Sequence, residues 1–359
     1  MGAGTCIGFG SARALWRKIG HHVARDNPAS ETVPPLLVRL LFDGGEGVDL
    51  GAVPVRTRVS AAPARVVARE ATELLKRYPD LGRRLDVCVS EQAGRHVAAA
   101  ARVHFMGGAY PPGSFCRMAD GTLLTSPELT FLQLARLLDD VGLVTYGYEL
   151  CGYYARGEEG FCSCPALTSV AWIGRYLDRL ERVRAARGQG MPPGIRRARR
   201  VLGWVLDGAA SPEEATASIV LTLPRKRGGF GLPPGRLNRA VPLSTEVARL
   251  FGIDSFVCDA SWEGRRVAFE YQGWQHKIRS RQTVDLRKGN VLMSDDWTLV
   301  QANRAMLSSQ ELMEEVAATL SRALGVQWEP PNAAIRTRQL RLRNGLLAEL
   351  GPGGVERLG

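Results

Sequence analysis

The sequence of 359 residues has few cysteines and no long apolar run. Its seven cysteines are odd in number and contain no C-x-x-C pair, so the pattern favours neither a disulfide framework nor a zinc site. Cys151, Cys162 and Cys164 lie close together in sequence, but no fourth ligand is evident. No segment has the roughly 20 apolar residues of a transmembrane helix, and the N-terminus lacks the apolar region and cleavage site of a signal peptide. We therefore expect a cytoplasmic protein with reduced cysteines.

Positive charge is what the chain has in excess. Lysine and arginine number 47 against 36 acidic residues, which gives a net charge of +11. This balance favours a polyanionic partner such as DNA. Many basic proteins bind no nucleic acid, so a structural or interaction protein without such a partner stays open. One basic cluster, of Arg196, Arg197, Arg199 and Arg200, lies ahead of the candidate site described below.

The length and the 45% apolar content predict two packed domains. The Gly- and Pro-rich segment 188–194 is the strongest boundary signal. We expect residues 1–35 to be weakly ordered and residues 36–190 to form an α+β N-terminal module of unknown role. This module would position DNA or contact a protein partner. A second domain is expected at 195–330, followed by a basic tail at 331–359.

The most informative segment runs from Asp259 to His276. Its alternation of polar and apolar residues predicts two strands joined by a turn at Glu263-Gly264, with Asp259, Glu270 and Gln272 on one face and an apolar set on the other. With this turn, Asp259 becomes a diagonal neighbour of Glu270. Carboxylates on neighbouring strands can converge on one cation, and hard oxygen ligands favour Mg²⁺ or Mn²⁺ over zinc. Alternating acids more often form a solvated face, so the pattern needs support from its surroundings.

Three segments supply that support: 269–276, 285–292 and 296–300. Together they resemble the nuclease domains related to very-short-patch repair endonucleases, within the PD-(D/E)xK restriction-endonuclease-like superfamily. The resemblance covers about residues 205–325. It implies an α/β fold with a central mixed sheet flanked by helices, preceded by the α+β N-terminal domain. It also implies a metal-dependent DNA endonuclease, active in defence or repair.

By this resemblance, Asp259 and Glu270 would bind Mg²⁺ or Mn²⁺. Gln272 stands where the superfamily often has a lysine that orients the attacking water and helps to deprotonate it. Glutamine can orient water but carries no charge, and Lys277 or Lys288 would have to supply it. Otherwise the site would be slow or inactive. A catalytically dead nuclease fold, acting as a DNA-binding or antitoxin-like regulator, is therefore the alternative.

Three further residues match the family pattern. His276 matches the histidine after the glycine turn, where it would act as general base or steady the leaving group; the alternative is a turn histidine bonded to backbone. Asp285 matches the acid of the next helix. Glu214 matches the acid of the first helix, but Ser211 and Pro212 form a helix start in which Glu214 takes the capping-box position.

A DNA backbone that crosses the metal site would meet the basic residues around it. We expect the phosphate contacts to come from Arg225, Lys226, Arg227, Lys277, Arg279, Arg281, Arg287 and Lys288. Each of these clusters, taken alone, is also typical of a solvated surface.

Overall fold

The computed structural model describes residues 4–26, 54–94, 99–157, 160–273 and 279–350. These residues form a mixed α/β protein, as the sequence indicated. The chain divides into two compact units: the first holds residues 1–151, 155–157 and 162–203, and the second holds 152–154, 158–161 and 204–359. None of the described helices combines the length and apolar character that crossing a membrane requires.

The first unit is built on a six-stranded mixed sheet in the order β2-β5-β6-β1-β3-β4. Its strands are β1 (Cys6–Ile7), β2 (Val55–Arg56), β3 (Leu85–Val89), β4 (Ala101–Phe105), β5 (Phe115–Arg117) and β6 (Leu123–Thr125). Its helices are α1 (Phe9–Asp26), α2 (Ala68–Arg77), α3 (Pro127–Leu134), α4 (Asp140–Cys151), α5 (Val170–Ala185) and α6 (Ile195–Leu202). A separate two-stranded sheet pairs β7 (Tyr154–Arg156) with β8 (Phe161–Ser163).

Residues 4–26 differ from the expectation of weak order over residues 1–35. Strand β1 pairs with β3 and β6 in the middle of the sheet, and α1 follows it directly. Ala12, Leu15, Trp16 and Ile19 are buried at the i, i+3, i+4, i+7 spacing of an amphipathic helix. The Trp16 indole N–H donates to the Thr125 carbonyl at 2.9 Å. This apolar stripe outweighs the high glycine and alanine content, which suggested little order.

Two buried glutamates of the first unit are each paired with arginine. Glu128 accepts two hydrogen bonds from Arg56 Nη2, at 2.8 and 2.9 Å, and a third from Thr168 Oγ1 at 2.8 Å. Glu149 accepts from Arg17, with Nη2 2.7 Å from Oε2. Burial alone would raise the pKa of both carboxyls, but the arginines and the hydrogen bonds hold both pKa values below the usual range. Both acids therefore stay charged inside the unit.

The second unit contains a four-stranded sheet in the order β12-β11-β10-β9. Its strands are β9 (Arg236–Pro242), β10 (Ser255–Trp262), β11 (Val267–Gln272) and β12 (Thr298–Asn303). Its helices are α7 (Pro212–Thr222), α8 (Thr245–Phe251), α9 (Arg279–Ser294), α10 (Arg304–Ser308), α11 (Gln310–Leu324) and α12 (Ala333–Leu350). Strands β9, β10 and β11 are antiparallel neighbours, whereas β11 and β12 are parallel. A parallel pair requires a crossover, and α9 occupies it.

The hairpin between β10 and β11 has a longer turn than the sequence predicted. Glu263–Arg265 form a 3₁₀ turn, and Arg266 follows in the left-handed region with φ 49°. Trp262 consequently pairs with Val267 rather than with Arg265. The register between the two strands is therefore shifted by two residues from the one that a two-residue turn would give.

The predicted basic tail at 331–359 contains a packed helix over its described part. Leu342, Leu346 and Leu350 of α12 are buried. The backbone of Arg338 lies so close to Gly228 that a Cβ there would be 2.6 Å from the Arg338 carbonyl oxygen. Gly228 also has φ +96°, which other residues rarely adopt. Helix α12 therefore belongs to the fold of the second unit, because its leucines recur at helical spacing and cover the core.

Candidate functional site

Asp259 lies where β10 loses its pairing on both sides. Between β9 and β10, Cys258 pairs with Arg239 and Ala260 with Leu237, but no pair forms at Asp259. Between β10 and β11, the ladder ends at the pair Ala260–Phe269. Because both ladders are interrupted here, backbone groups and side chains of β9, β10 and β11 can form other contacts near Asp259.

The break also changes which side chains share a face. Ala260 lies on the same face as its partner Phe269, so Ala268 lies on the other face. Cys258 belongs to one core cluster with Ala268 and Leu292 of α9, so Cys258 and Ala260 lie on opposite faces. Strict alternation therefore fails at Asp259. The apolar set that we predicted opposite Glu270 includes Cys258, and for Cys258 this prediction is wrong.

The Asp259 carboxylate turns towards β11 and accepts the Tyr271 N–H at 2.5 Å. Burial is the main reason that its pKa lies well above the usual value, and repulsion from Glu214 and Glu270 adds to the effect. The Tyr271 N–H and the Lys288 ammonium oppose this rise without cancelling it. Asp259, Glu214 and Glu270 thus lie close enough to repel one another inside the second unit.

Glu214 lies in the first turn of α7. The sequence suggested two roles for it, as a helix-capping residue and as an acid of the site. Ser211 is the N-cap, and its hydroxyl accepts the Glu214 N–H at 3.1 Å. Glu214 Oε2 accepts the Ala210 N–H at 2.9 Å, so the side chain helps to close the start of the helix. Burial nevertheless raises the pKa of Glu214, and the charge of Glu270 contributes to that rise. Glu214 therefore both caps the start of α7 and interacts electrostatically with Glu270.

Asn238 is the residue of this site that the sequence did not reveal. Its amide Nδ2 donates to Glu214 Oε2 at 2.7 Å and to the Gly208 carbonyl at 3.0 Å. Its backbone has φ 47°, which is uncommon outside glycine although asparagine tolerates it. This conformation falls at the missing pair between β9 and β10, opposite Asp259. The local sequence offers no signal for it, because an asparagine in a strand is unremarkable until its φ is known.

Lys288 reaches the same place from α9. Its ammonium donates to Glu270 and to the Val257 carbonyl, which the parted strands leave accessible. Burial alone would lower the pKa of this lysine, but Glu270 holds it above the usual value. Lys288 therefore stays protonated beside the acids. Of the two lysines that we predicted as substitutes for the missing strand lysine, this one contacts Glu270.

Of the other predicted catalytic residues, only Gln272 has a described side chain. Gln272 is half-buried at the end of β11, in register with Asn303 of β12. His276 and Lys277 lie outside the described residues, so their predicted roles stay predictions. Asp285 lies within α9, as the resemblance implied.

The predicted phosphate-binding residues are spread over several elements. Arg225 pairs with Glu329 at 3.2 Å, and Arg227 lies over the Trp204 ring with its guanidinium carbon 5.6 Å from the centroid. Lys226 is exposed. Arg287 is also exposed, and its Nη2 donates to the Phe251 carbonyl at 2.8 Å. Arg279 and Arg281 lie in the first turn of α9.

The basic cluster at residues 196–200 is largely neutralised within the first unit. Arg199 pairs with Asp178 at 2.7 Å and with Glu181 at 2.6 Å. Arg200 pairs with Asp140 at 2.9 Å. Arg197 approaches the same aspartate at 3.5 Å. Because acids of the same unit compensate these charges, the cluster contributes less to binding a polyanion than its sequence suggested.

Over the described ranges, no three histidine, cysteine, aspartate or glutamate side chains are arranged to hold one metal ion together. Asp259 and Glu270 come from two neighbouring strands, and the charge of Glu214 acts on Asp259 as well. Comparison of the chain with protein-family models, with curated proteins and with solved structures finds no match.

Proposed function

We propose that the second unit is a metal-dependent DNA endonuclease with the restriction-endonuclease-like fold that its sequence resembles. The observation that carries this proposal is the convergence of Glu214, Asp259 and Glu270 beside Lys288, at the break in the β10 ladders. Buried acids with raised pKa values beside a charged partner are typical of functional sites. The hydrogen bonds to Glu214 and Asp259 and the charge of Lys288 near Asp259 do not cancel the effect of burial, since the pKa values of both acids stay raised.

The order of elements agrees with the resemblance. An acid lies on the first helix α7, an aspartate on β10 and a glutamate on β11. Helix α9 and the parallel strand β12 follow. In this arrangement the three acids come from three different elements that meet at one point. The mixed sheet and the helices around it supply the rigid frame on which such a site depends.

Asp259 and Glu270 are the residues that would hold the cation. Their donor atoms are all carboxylate oxygens, and Mg²⁺ is commonly held by one or two carboxylates while waters and substrate phosphates complete its shell. Two protein ligands, rather than an enclosed set of three, therefore fit this metal. When bound, Mg²⁺ supplies a more acidic water and neutralises charge on the phosphate.

Lys288 would supply the positive charge that related nucleases often have as a lysine at the position of Gln272. Its ammonium is protonated and lies against Glu270. From there it donates hydrogen bonds to the attacking water or to a phosphate oxygen, where negative charge develops during hydrolysis. The sequence separates Lys288 from Glu270 by a helix crossover, but the fold brings the two side chains into contact.

The direct test is nicking of supercoiled plasmid by the full chain with Mg²⁺ or Mn²⁺. We expect nicking by the wild type, none in EDTA, and a loss of at least about 100-fold in Glu270→Gln. The matched control is Glu246→Gln, which removes an exposed acid of α8 in the same unit. Nicking that persists undiminished in Glu270→Gln would contradict the proposal.

A second candidate is a DNA-binding or antitoxin-like regulator that uses an inactive nuclease fold. The observation in its favour is Gln272, which carries no charge where the family often has lysine. Lys288 is moreover already bonded to both Glu270 and the Val257 carbonyl. Salt-sensitive DNA binding without cleavage in either metal would favour this candidate over the enzyme.

A further inference from the structure

The first unit contains a cavity of about 660 Å³ that the proposed function does not use. This volume lies within the range of small-molecule sites, about 300–1,000 Å³. Its inner wall is apolar, with Phe9, Met106, Leu129 and Leu132 all buried. Two loops, at 107–110 and 189–193, form its rim.

The mouth of this cavity exposes apolar side chains that a folded protein normally covers. Phe105 is 40% exposed and Met191 is 57% exposed, and both line the cavity. The Phe105 ring lies against the bare backbone of Gly107, where a Cβ would come within 2.4 Å of the ring. An aromatic ring held open to solvent on a glycine offers a flat stacking surface.

A cation lines the same cavity as Phe105. Arg136 also lines the cavity and is exposed, with its guanidinium carbon 5.8 Å from the centroid of the Phe9 ring. The described part of the chain provides no ion pair or hydrogen bond for this guanidinium. Arg184, by contrast, donates to the Gly107 carbonyl at 2.9 Å and to the Gly190 carbonyl at 2.8 Å. Arg184 thus links the two rim loops by hydrogen bonds. The Arg136 guanidinium can bind an anion.

The backbone beneath the cavity is held in a strained form. Phe9 has φ 51°, a left-handed conformation that is unusual for a bulky residue. The Gln133 side-chain oxygen accepts the Phe9 N–H at 2.9 Å and fixes this conformation from inside the core. Gly8 lies so close to Cys88 that no side chain fits there, since a Cβ would be 2.4 Å from the sulfur. Strain of this kind persists where the surroundings enforce it, and it is concentrated at ligand sites.

We propose that this cavity binds one unpaired nucleotide of single-stranded DNA, with the base on Phe105 and the phosphate at Arg136. A planar base with its phosphate matches an exposed aromatic side chain and a guanidinium that line the same cavity. A base inside a duplex is stacked on both sides and cannot enter such a cavity, whereas an unpaired base can. The choice of DNA over other anions rests on the proposed function of the second unit.

The test measures binding of short fluorescein-labelled oligothymidylate by fluorescence anisotropy, against an abasic oligomer with the same backbone. The full chain is used in EDTA, so that cleavage does not interfere. We expect the wild type to bind the base-bearing oligomer at least about tenfold more tightly than the abasic one. Phe105→Ala removes this difference, whereas Arg136→Ala weakens binding of both oligomers.

Arg69→Ala is the matched control, because it removes one exposed charge from α2 in the same unit. It should leave both affinities unchanged, and melting curves of all variants check that each is folded. Equal affinity of the wild type for the two oligomers, or a Phe105→Ala variant that keeps the preference, overturns the cavity proposal.

The nuclease proposal is tested separately. Glu270→Gln should keep the preference for the base-bearing oligomer, although it fails to nick plasmid. A protein that nicks without preferring base-bearing DNA refutes only the cavity site. A protein that shows the preference without nicking refutes only the nuclease.

Discussion

Both units bury carboxylates, but they treat them in opposite ways. In the first unit, Glu128 and Glu149 each meet an arginine, and their pKa values are held below the usual range despite burial. In the second unit, burial and mutual repulsion raise the pKa values of Glu214 and Asp259, with Lys288 as the nearby cation. The acids are buried in both units, so the difference lies in how far nearby cations neutralise their charge. Buried acids that are neutralised by arginine stabilise a fold, whereas buried acids in excess over nearby cations favour the binding of a further cation.

The largest expected effect follows from removing an arginine of the first unit. Arg56→Met leaves Glu128 buried without its counterion, and its side chain is only 2% exposed. We expect the free energy of unfolding to fall by about 3–5 kcal/mol. Urea unfolding of the full chain measures it, and the exposed arginine variant Arg69→Met is the control. A loss under about 1 kcal/mol would show that this pair is not the structural element we describe.

The next effect concerns Lys288. Lys288→Met should lower plasmid nicking by about 100-fold, because the protonated group next to Glu270 is lost. Arg287→Met, which removes the neighbouring exposed cation of the same helix, is the control and should lose much less. The double variant Lys288→Met/Gln272→Lys tests the substitution directly, since it moves the charge back to the strand. Partial recovery of nicking is expected; no recovery, together with an unchanged melting temperature, would argue that Lys288 acts in another way.

A smaller effect is expected from pH in the first unit. The pKa of Glu128 is lower in the folded chain than in the unfolded chain, so folding is favoured while the carboxyl is ionised. This contribution is fully present above the unfolded value near pH 4.3 and is lost as the pH falls through the folded pKa. The difference in free energy of unfolding between the wild type and Glu128→Gln should therefore shrink on acidification below about pH 4. A difference that grows with acid would reverse the sign of our argument.

The smallest effect should have the opposite direction. Asp259→Asn replaces an acid whose charge is unfavourable in the folded chain, so we expect no loss, or a gain of up to about 1 kcal/mol, in EDTA. Thermal melting of the full chain measures this change, and nicking should fall at the same time. A marked destabilisation in EDTA would place Asp259 with Glu128 as a structural acid and remove the contrast between the units.

Part of the candidate site was predictable from spacing alone. Asp259 and Glu270 lie on neighbouring strands, because the alternation of polar and apolar residues marks both strands. Their register was not predictable, since the 3₁₀ turn and the left-handed Arg266 add residues that a short Glu-Gly turn would not need. The place of Glu214 was predicted from the order of elements, but its hydrogen bond with Asn238 depends on a backbone conformation that sequence does not display.

The fold shows the same division. The amphipathic stripe of α1 and the leucines of α12 are visible in the sequence, yet their flanking compositions suggested weak order. Local composition describes what a segment does alone, whereas burial against the rest of the unit decides whether it folds. The arginine cluster at 196–200 illustrates the reverse case, since its charge is evident in sequence but its compensation by Asp140, Asp178 and Glu181 is not.

The amino-acid sequence by itself determined the mixed α/β character, the two acid-bearing strands and the excess of positive charge, because period, turn residues and composition are local properties. Only the tertiary structure decided that Lys288 meets Glu270, that both ladders break at Asp259, and that Phe105 and Arg136 share the mouth of one cavity. Those contacts join residues far apart in the chain. They exist because the packing of the helices against the sheets fixes the position of each of these side chains.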